Sequence, residues 1–176
     1  MANKQALREL QTRLAERMQQ VRTETPGVSW LAVEAAGQGV LLPLPQAGEI
    51  SDVGTVLPVP HTRPWLTGVV NLRGGVCTVV DLGQFLGLRA AGAPAPRDHA
   101  RLVGFNASLG LNGVLLVDKL QGLRHAADMR ADDDSPDNAQ RPAFATGRWR
   151  DGEGRHWQEI SLAALAVTPE FLAIAG

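Results

Sequence analysis

Short apolar runs interrupted by Gly, Pro and Asn are the feature that most restricts the fold of this chain. From Val28 onward, runs of four to eight residues alternate with turn residues, a pattern typical of strands rather than helices. Runs such as Val76–Val80 are apolar on both faces, as expected inside a closed barrel or sandwich. The sequence therefore predicts a mostly β protein. Its strands are expected at residues 28–35, 39–44, 69–72, 76–80, 101–106, 114–120, 143–150 and 155–160.

Turn residues between these runs predict hairpins. Glycine adopts positive φ without steric cost, which tight hairpin turns require. The predicted turns are Gly37-Gln38-Gly39, Arg73-Gly74-Gly75, Asn112-Gly113 and Asp151-Gly152-Glu153-Gly154.

Two stretches interrupt the β pattern. Residues 89–100 are rich in Ala, Pro and Gly, and residues 128–142 are acidic with few apolar side chains, so both are predicted to be solvated connections. They divide the β region into a first lobe at residues 28–88 and a second lobe at residues 101–167. Short helices are expected at 82–86 and 162–165, and a C-terminal tail at 168–176 is expected to form a helix from Pro169 through Ile174.

The N-terminal segment, residues 1–27, is predicted to contain an amphipathic helix at residues 3–22. Such a helix either packs on its own domain or docks a partner helix, and the sequence leaves both interpretations open. Its apolar face consists of Leu7, Leu10, Leu14, Met18 and Val21.

The charge and cysteine content restrict the partners of the chain. Seventeen Lys and Arg oppose 18 Asp and Glu, without a basic cluster, which argues against nucleic acid as the main partner. The single cysteine, Cys77, excludes an intrachain disulfide and is expected to be a buried, inert thiol. No apolar run approaches the roughly 20 residues of a membrane-spanning helix. We therefore expect a cytoplasmic protein without direct membrane insertion, whose partners are proteins or small molecules.

Sequence patterns of catalysis are missing. The four histidines lack metal-ligand spacing, and the chain has no CxxC, phosphate-binding GxxxxGK[ST] or nucleophilic GxSxG pattern. The aspartates near Asp132 lack the glycine and the glutamate of a calcium-binding loop. We therefore predict no catalytic residues, no metal and no cofactor.

Two motifs carry a resemblance to a known family. Residues 63–74, RPWLTGVVNLRG, precede the valine-rich run GVCTVVDL at 75–82, and residues 113–123 read GVLLVDKLQGL. Their order and spacing resemble the CheW-domain family over residues 28–165. The N-terminal helix, the final hairpin and the C-terminal tail resemble the PilI-type branch, which serves type IV pili and twitching motility.

The resemblance implies a fold of two SH3-like, five-stranded β-barrel lobes and a non-catalytic adaptor function. The groove between the lobes would receive the cytoplasmic tip of a chemoreceptor, and the barrel edges would bind the regulatory domain of a CheA-like histidine kinase. A flagellar chemotaxis adaptor remains an alternative, as does an enzyme or small-molecule-binding protein that uses the groove.

The resemblance also implies interface residues. Leu44 and Ile50 would face the groove from the first lobe, and Leu102 and Val103 from the second. Arg73, at the hairpin tip, would present a planar donor fork to a partner, although a solvated arginine in a local ion pair fits the residues as well. The complete predicted interface is Leu44, Ile50, Asn71, Leu72, Arg73, Gly74, Leu102, Val103 and Asp118.

Overall fold

The computed structural model describes residues 27–94, 97–132 and 141–176. These residues form two β-sheets with short helices, so the mostly β prediction is confirmed. The predicted N-terminal helix at 3–22 lies outside the described residues. The strands are β1 (Ser29–Ala35), β2 (Gln38–Pro43), β3 (Ala47–Asp52), β4 (Leu66–Leu72), β5 (Gly75–Asp81), β6 (Arg101–Phe105), β7 (Gly113–Val117), β8 (Lys119–His125), β9 (Arg130–Ala131), β10 (Ala145–Arg150) and β11 (His156–Ile160).

The strand order differs from the expected division of the chain. The first sheet has the order β8-β1-β2-β11-β10-β9, and the second sheet has the order β3-β6-β7-β5-β4. Each sheet thus contains strands from both sides of the break at residues 89–100. The expected lobes at 28–88 and 101–167 do not correspond to the two sheets, because β1 pairs with β8 and β2 with β11 rather than with β3 to β5.

Three apolar clusters explain why many strands are apolar on both faces. Leu31 and Val33 of the first sheet share one buried cluster with Val103 and Leu115 of the second, so this central cluster joins the sheets. Because successive strand residues point to opposite faces, Trp30 belongs to a separate cluster on the other face of the first sheet. A third cluster covers the other face of the second sheet and consists of Val70, Val79, Ala100, Leu102, Val114 and Leu116.

The chain passes between the sheets at two short connections. A 3-10 turn at Leu44–Gln46 joins β2 to β3, and Asp118 alone joins β7 to β8. The prediction of one strand at 114–120 was therefore wrong. At Asp118 the backbone changes its hydrogen-bonding partner, because its N–H donates to the carbonyl of Glu34 in the first sheet at 2.9 Å.

Two strands fall where the sequence indicated none. The run of β3, AGEISD, lacks strong apolar alternation because β3 is an edge strand with exposed side chains. Within the predicted connection 128–142, β9 pairs with β10, whereas residues 133–140 lie outside the described residues. The predicted solvated loop at 89–100 is also anchored in the protein at both ends, since the Arg89 side chain is only 10% exposed and Ala100 is buried.

The turns agree in part with their predictions. Arg73 and Gly74 adopt positive φ between β4 and β5, as predicted. The turn between β1 and β2 is centred on Ala36 and Gly37, one residue earlier than predicted. Between β6 and β7 the left-handed residue is Gly110 rather than the predicted Asn112-Gly113.

The described residues contain three short α-helices, of which the first two directly follow strands. The helices α1 (Leu82–Phe85) and α2 (Leu162–Leu165) agree with prediction and begin after Asp81 and Ser161, whose side chains accept backbone hydrogen bonds. The helix α3 (Pro169–Leu172) ends before Ile174, whose carbonyl instead accepts the Arg63 N–H at 2.9 Å. Within the described ranges, no helix has the length and apolar character needed to cross a membrane.

A close backbone approach extends the second sheet beyond β4. After β3 the chain crosses to the opposite edge of this sheet, where Leu57 and Val69 exchange two hydrogen bonds of 2.8 Å. Gly68 permits this approach, because a Cβ there would lie 2.2 Å from the carbonyl oxygen of Leu57. Its φ of +148° is also strained for other residues.

Gly68→Ala should therefore lower the free energy of unfolding by about 2–3 kcal/mol, since it adds backbone strain and a steric clash. Gly54→Ala is the matched control, because nothing lies within 4 Å of its Cβ position. The control should change the free energy by less than about 1 kcal/mol. Urea denaturation of both variants measures the difference, and equal stabilities would contradict a tight crossing.

Candidate functional site

Ile50 lies at the open edge of the central cluster. It is opposite Val103 in the antiparallel pair of β3 and β6, so the two side chains share a face. Val103 is buried in the central cluster, but β3 is an edge strand and leaves Ile50 41% exposed. The structure thus places Ile50 on the side of the second sheet that faces the first sheet.

Leu123 has the equivalent position on the first sheet, and the sequence did not single it out. It is opposite Leu31, a member of the central cluster, yet it is 51% exposed because β8 is also an edge strand. Leu44, in the connection between the sheets, is 39% exposed. We refer to Leu44, Ile50 and Leu123 as the apolar rim.

The predicted groove residues of the second lobe are corrected by the structure. Leu102 and Val103 are both 0% exposed, because β6 is an internal strand whose two faces are covered by different clusters. A partner cannot contact either side chain in this conformation. The exposed apolar side chain at this level of the sheet is Ile50, on the neighbouring edge strand.

The hairpin between β4 and β5 exposes three of the predicted tip residues, Asn71, Arg73 and Gly74. Leu72 is half-buried and packs against the third cluster. Asn71 accepts a hydrogen bond from the Gly74 N–H at 3.0 Å, which closes the turn. The side chain of Arg73 is 81% exposed, and its Nη2 lies 2.8 Å from Oε1 of Glu49 on β3. An exposed pair of this kind contributes at most about 1 kcal/mol to stability, so Arg73 can exchange Glu49 for another acceptor at little cost.

Apolar side chains extend from this tip along one outer face of the hairpin. Val69 shares a face with Leu57 and with Thr78, which stand opposite it on either side, and Val76 lies two residues from Thr78 on the same strand. Leu57 is 61% exposed and Val76 is 65% exposed. We call Leu57, Val69 and Val76 the hairpin face.

Cys77 points away from the hairpin face. It packs beside the third cluster but retains intermediate exposure, so the expected fully buried thiol was wrong. The position of β5 at the end of its cluster explains the difference, because the hairpin extends beyond the core there.

Asp118 is part of a buried ion cluster rather than an exposed surface. Nη1 of Arg89 lies 2.8 and 2.7 Å from the two carboxylate oxygens of Asp81, and Nη2 donates to both oxygens of Asp118. The side chains are 10% exposed for Arg89, 1% for Asp81 and 10% for Asp118. Burial opposes the charge of Arg89, but the hydrogen bonds and charges of Asp118 and Asp81 outweigh it and raise the pKa of the guanidinium.

The described side chains do not form a metal-binding cluster. Within residues 27–94, 97–132 and 141–176, no three His, Cys, Asp or Glu side chains are grouped so that they could hold a metal ion. The apolar rim and the hairpin face are exposed apolar surfaces among the described residues, and both are suited to contact with another protein.

The chain is similar in sequence and fold to known proteins. The chain is 27% identical over 150 residues to Protein PilI of Pseudomonas aeruginosa, a match that covers 84% of this chain and 81% of PilI. Its fold is similar to the crystal structure of the scaffolding protein TtCheW from Thermoanaerobacter tengcongensis, with a TM-score of 0.64 and 19% identity over 80% of this chain and 88% of that one. The family model of the CheW-like domain matches residues 29–170. This chain therefore belongs to the family of CheW-like domains.

Proposed function

We propose that this protein is a cytoplasmic, non-catalytic adaptor that couples a methyl-accepting chemoreceptor to a CheA-like histidine kinase. The apolar rim is the observation that carries this proposal. Leu44, Ile50 and Leu123 are between 39% and 51% exposed. Ile50 and Leu123 lie on edge strands opposite buried members of the central cluster, and Leu44 lies in a connection between the sheets. An amphipathic helix of a receptor tip buries its apolar anchors on such a surface.

The energy available at the rim suits a reversible contact. Complete burial of a Leu or Ile side chain contributes roughly 1.5–3 kcal/mol relative to full exposure. Because each rim residue is about half exposed, docking would add roughly 1 kcal/mol per side chain before the costs of association. Affinity therefore depends on several anchors at once, and loss of the apolar contact of one anchor should weaken binding about five-fold.

The hairpin face is the proposed contact for the kinase. It consists of residues of β4 and β5 together with Leu57, at the end of the strand order opposite to β3. Arg73 lies at the tip of this hairpin but pairs with Glu49 on β3. Its position between the two surfaces makes Arg73 available to either partner.

The similarity to PilI supports an adaptor of the chemosensory system that controls type IV pili and twitching motility. This similarity covers 84% of the chain, so it is not confined to the short motifs around residues 63–82 and 113–123. An adaptor of flagellar chemotaxis would use the same two surfaces with a different receptor and kinase.

Ile50→Asp tests the apolar rim. Because Ile50 is at an edge and 41% exposed, the variant should fold. The carboxylate would be buried without a partner when the receptor helix docks, which is strongly unfavourable. We expect binding of a receptor-tip fragment to fall below detection by isothermal titration calorimetry, while binding of the kinase regulatory domain remains.

Leu123→Asp should have the same effect, since it places a charge at another position of the apolar rim. Val167→Asp is the matched control, because Val167 is 73% exposed and belongs to neither surface. Circular dichroism establishes that the variants are folded. If a folded rim variant loses binding to both receptor and kinase, the two partners share one surface. If both rim variants bind the receptor fully, the rim is not the receptor contact, and a small-molecule function is favoured instead.

Arg73→Glu tests the hairpin tip. The fold should change by no more than about 1 kcal/mol, because only an exposed ion pair is lost. If Arg73 pairs with a partner carboxylate, charge reversal should weaken binding of the receptor or the kinase by roughly tens-fold or more.

The swapped variant, Arg73→Glu with Glu49→Arg, separates a partner contact from a local role. It restores the ion pair at the surface with reversed charges. We expect binding to stay weak in the swapped variant. Recovery of wild-type affinity would show that Arg73 acts only through Glu49, and unchanged affinity in the single variant would remove Arg73 from both interfaces.

A further inference from the structure

The buried ion cluster connects parts of the protein that belong to different sheets. Asp81 ends β5 of the second sheet, and its Oδ1 accepts the backbone N–H of Gln84 at 3.0 Å. Asp118 is bound to the first sheet, because its Oδ2 accepts the Ala36 N–H at 2.8 Å. Arg89 holds both carboxylates, so its guanidinium links the end of β5 to the turn between β1 and β2.

The ion cluster lies at the connection between β7 and β8, where the chain passes from the second sheet to the first. Within the described residues, Asp118 is the single residue between β7 and β8, and Leu123 of the apolar rim lies on β8. The orientation of the backbone at Asp118 therefore sets the direction in which the chain leaves β7 of the second sheet and enters β8 of the first sheet. Ile50 follows the other connection between the sheets, so the separation of the two rim residues depends on how Asp118 is held.

Stability alone does not account for such a cluster. Two carboxylates face one guanidinium, and removing these charged groups from water is strongly unfavourable. Apolar replacements of buried ion pairs are often neutral or stabilising in other proteins. The planar guanidinium does supply geometry that an apolar contact lacks, because each of its two Nη atoms donates to a different carboxylate.

We propose that Arg89 is a positioning residue for the apolar rim: through Asp81 and Asp118 it fixes the orientation of β8 relative to the second sheet and thus the position of Leu123 relative to Ile50. This inference rests on the proposed function for its biological meaning. The geometric part concerns the protein alone and can be tested without a receptor.

The main test is a neutral triple variant, Asp81→Asn, Arg89→Met and Asp118→Asn. The asparagines keep the acceptors for Gln84 and Ala36, and methionine fills the volume of the arginine stem. Spin labels at Asp52→Cys and His125→Cys, in a Cys77→Ser background, report the distance between β3 and β8. We expect a urea midpoint close to that of the labelled parent but a broadened or shifted distance distribution.

A second variant, Arg89→Lys, keeps the positive charge but loses the fork that reaches two carboxylates. It should remain folded and also broaden the distribution. Arg150→Met is the matched control, because its half-exposed side chain forms a single ion pair with Asp132 at 3.5 Å, away from the connection. This control should leave the distribution unchanged.

The distance distributions of the triple variant and of Arg89→Lys decide whether Arg89 positions the rim. An unchanged distribution in a folded triple variant would overturn the proposal, and so would unfolding of both the triple variant and Arg89→Lys, which would limit Arg89 to a stabilising role. In unlabelled protein, the triple variant should bind the receptor-tip fragment about ten-fold more weakly, because its anchors are less well positioned. If the wild type does not bind the receptor, the proposed function fails while the distance measurement still decides the role of Arg89.

Discussion

The central apolar cluster is the interaction on which the rest of this structure depends. It draws side chains from both sheets, so neither sheet can move without exposing apolar surface of the other. The other faces of the two sheets pack against clusters of their own. The edge strands β3 and β8 carry Ile50 and Leu123 opposite buried members of the central cluster, so the proposed receptor contact adjoins the core.

Much of the local structure could be predicted from the sequence. Glycine and apolar alternation marked most strands, and the tip at Arg73-Gly74 required left-handed backbone that the structure confirms. The assignment of strands to sheets could not be predicted, because β2 pairs in parallel with β11, more than one hundred residues later. Local patterns do not encode such long-range pairing. The edge strand β3 was missed for a related reason, since an exposed edge needs little apolar alternation.

The candidate site was only partly accessible from the sequence. Ile50 has the partial exposure that its proposed role requires, whereas Leu102 and Val103 are buried although they stand in neighbouring positions of the same ladder. The difference between an exposed and a buried apolar residue here is whether its strand is an edge, which depends on topology. Asp118 shows the same limit, because its partner Arg89 lies in a stretch that composition marked as irregular.

The order of strands along the chain has a consequence for synthesis on the ribosome. The second sheet uses residues 47–117 without interruption, whereas β1 and β2 pair with β8 and β11, which begin at Lys119 and His156. At about 5–20 residues per second, β1 and β2 wait several seconds for these neighbours, with Trp30 and Leu41 unprotected. The strands of the second sheet are therefore complete first. Chaperones would have to shield the strands of the first sheet until β11 has been synthesised.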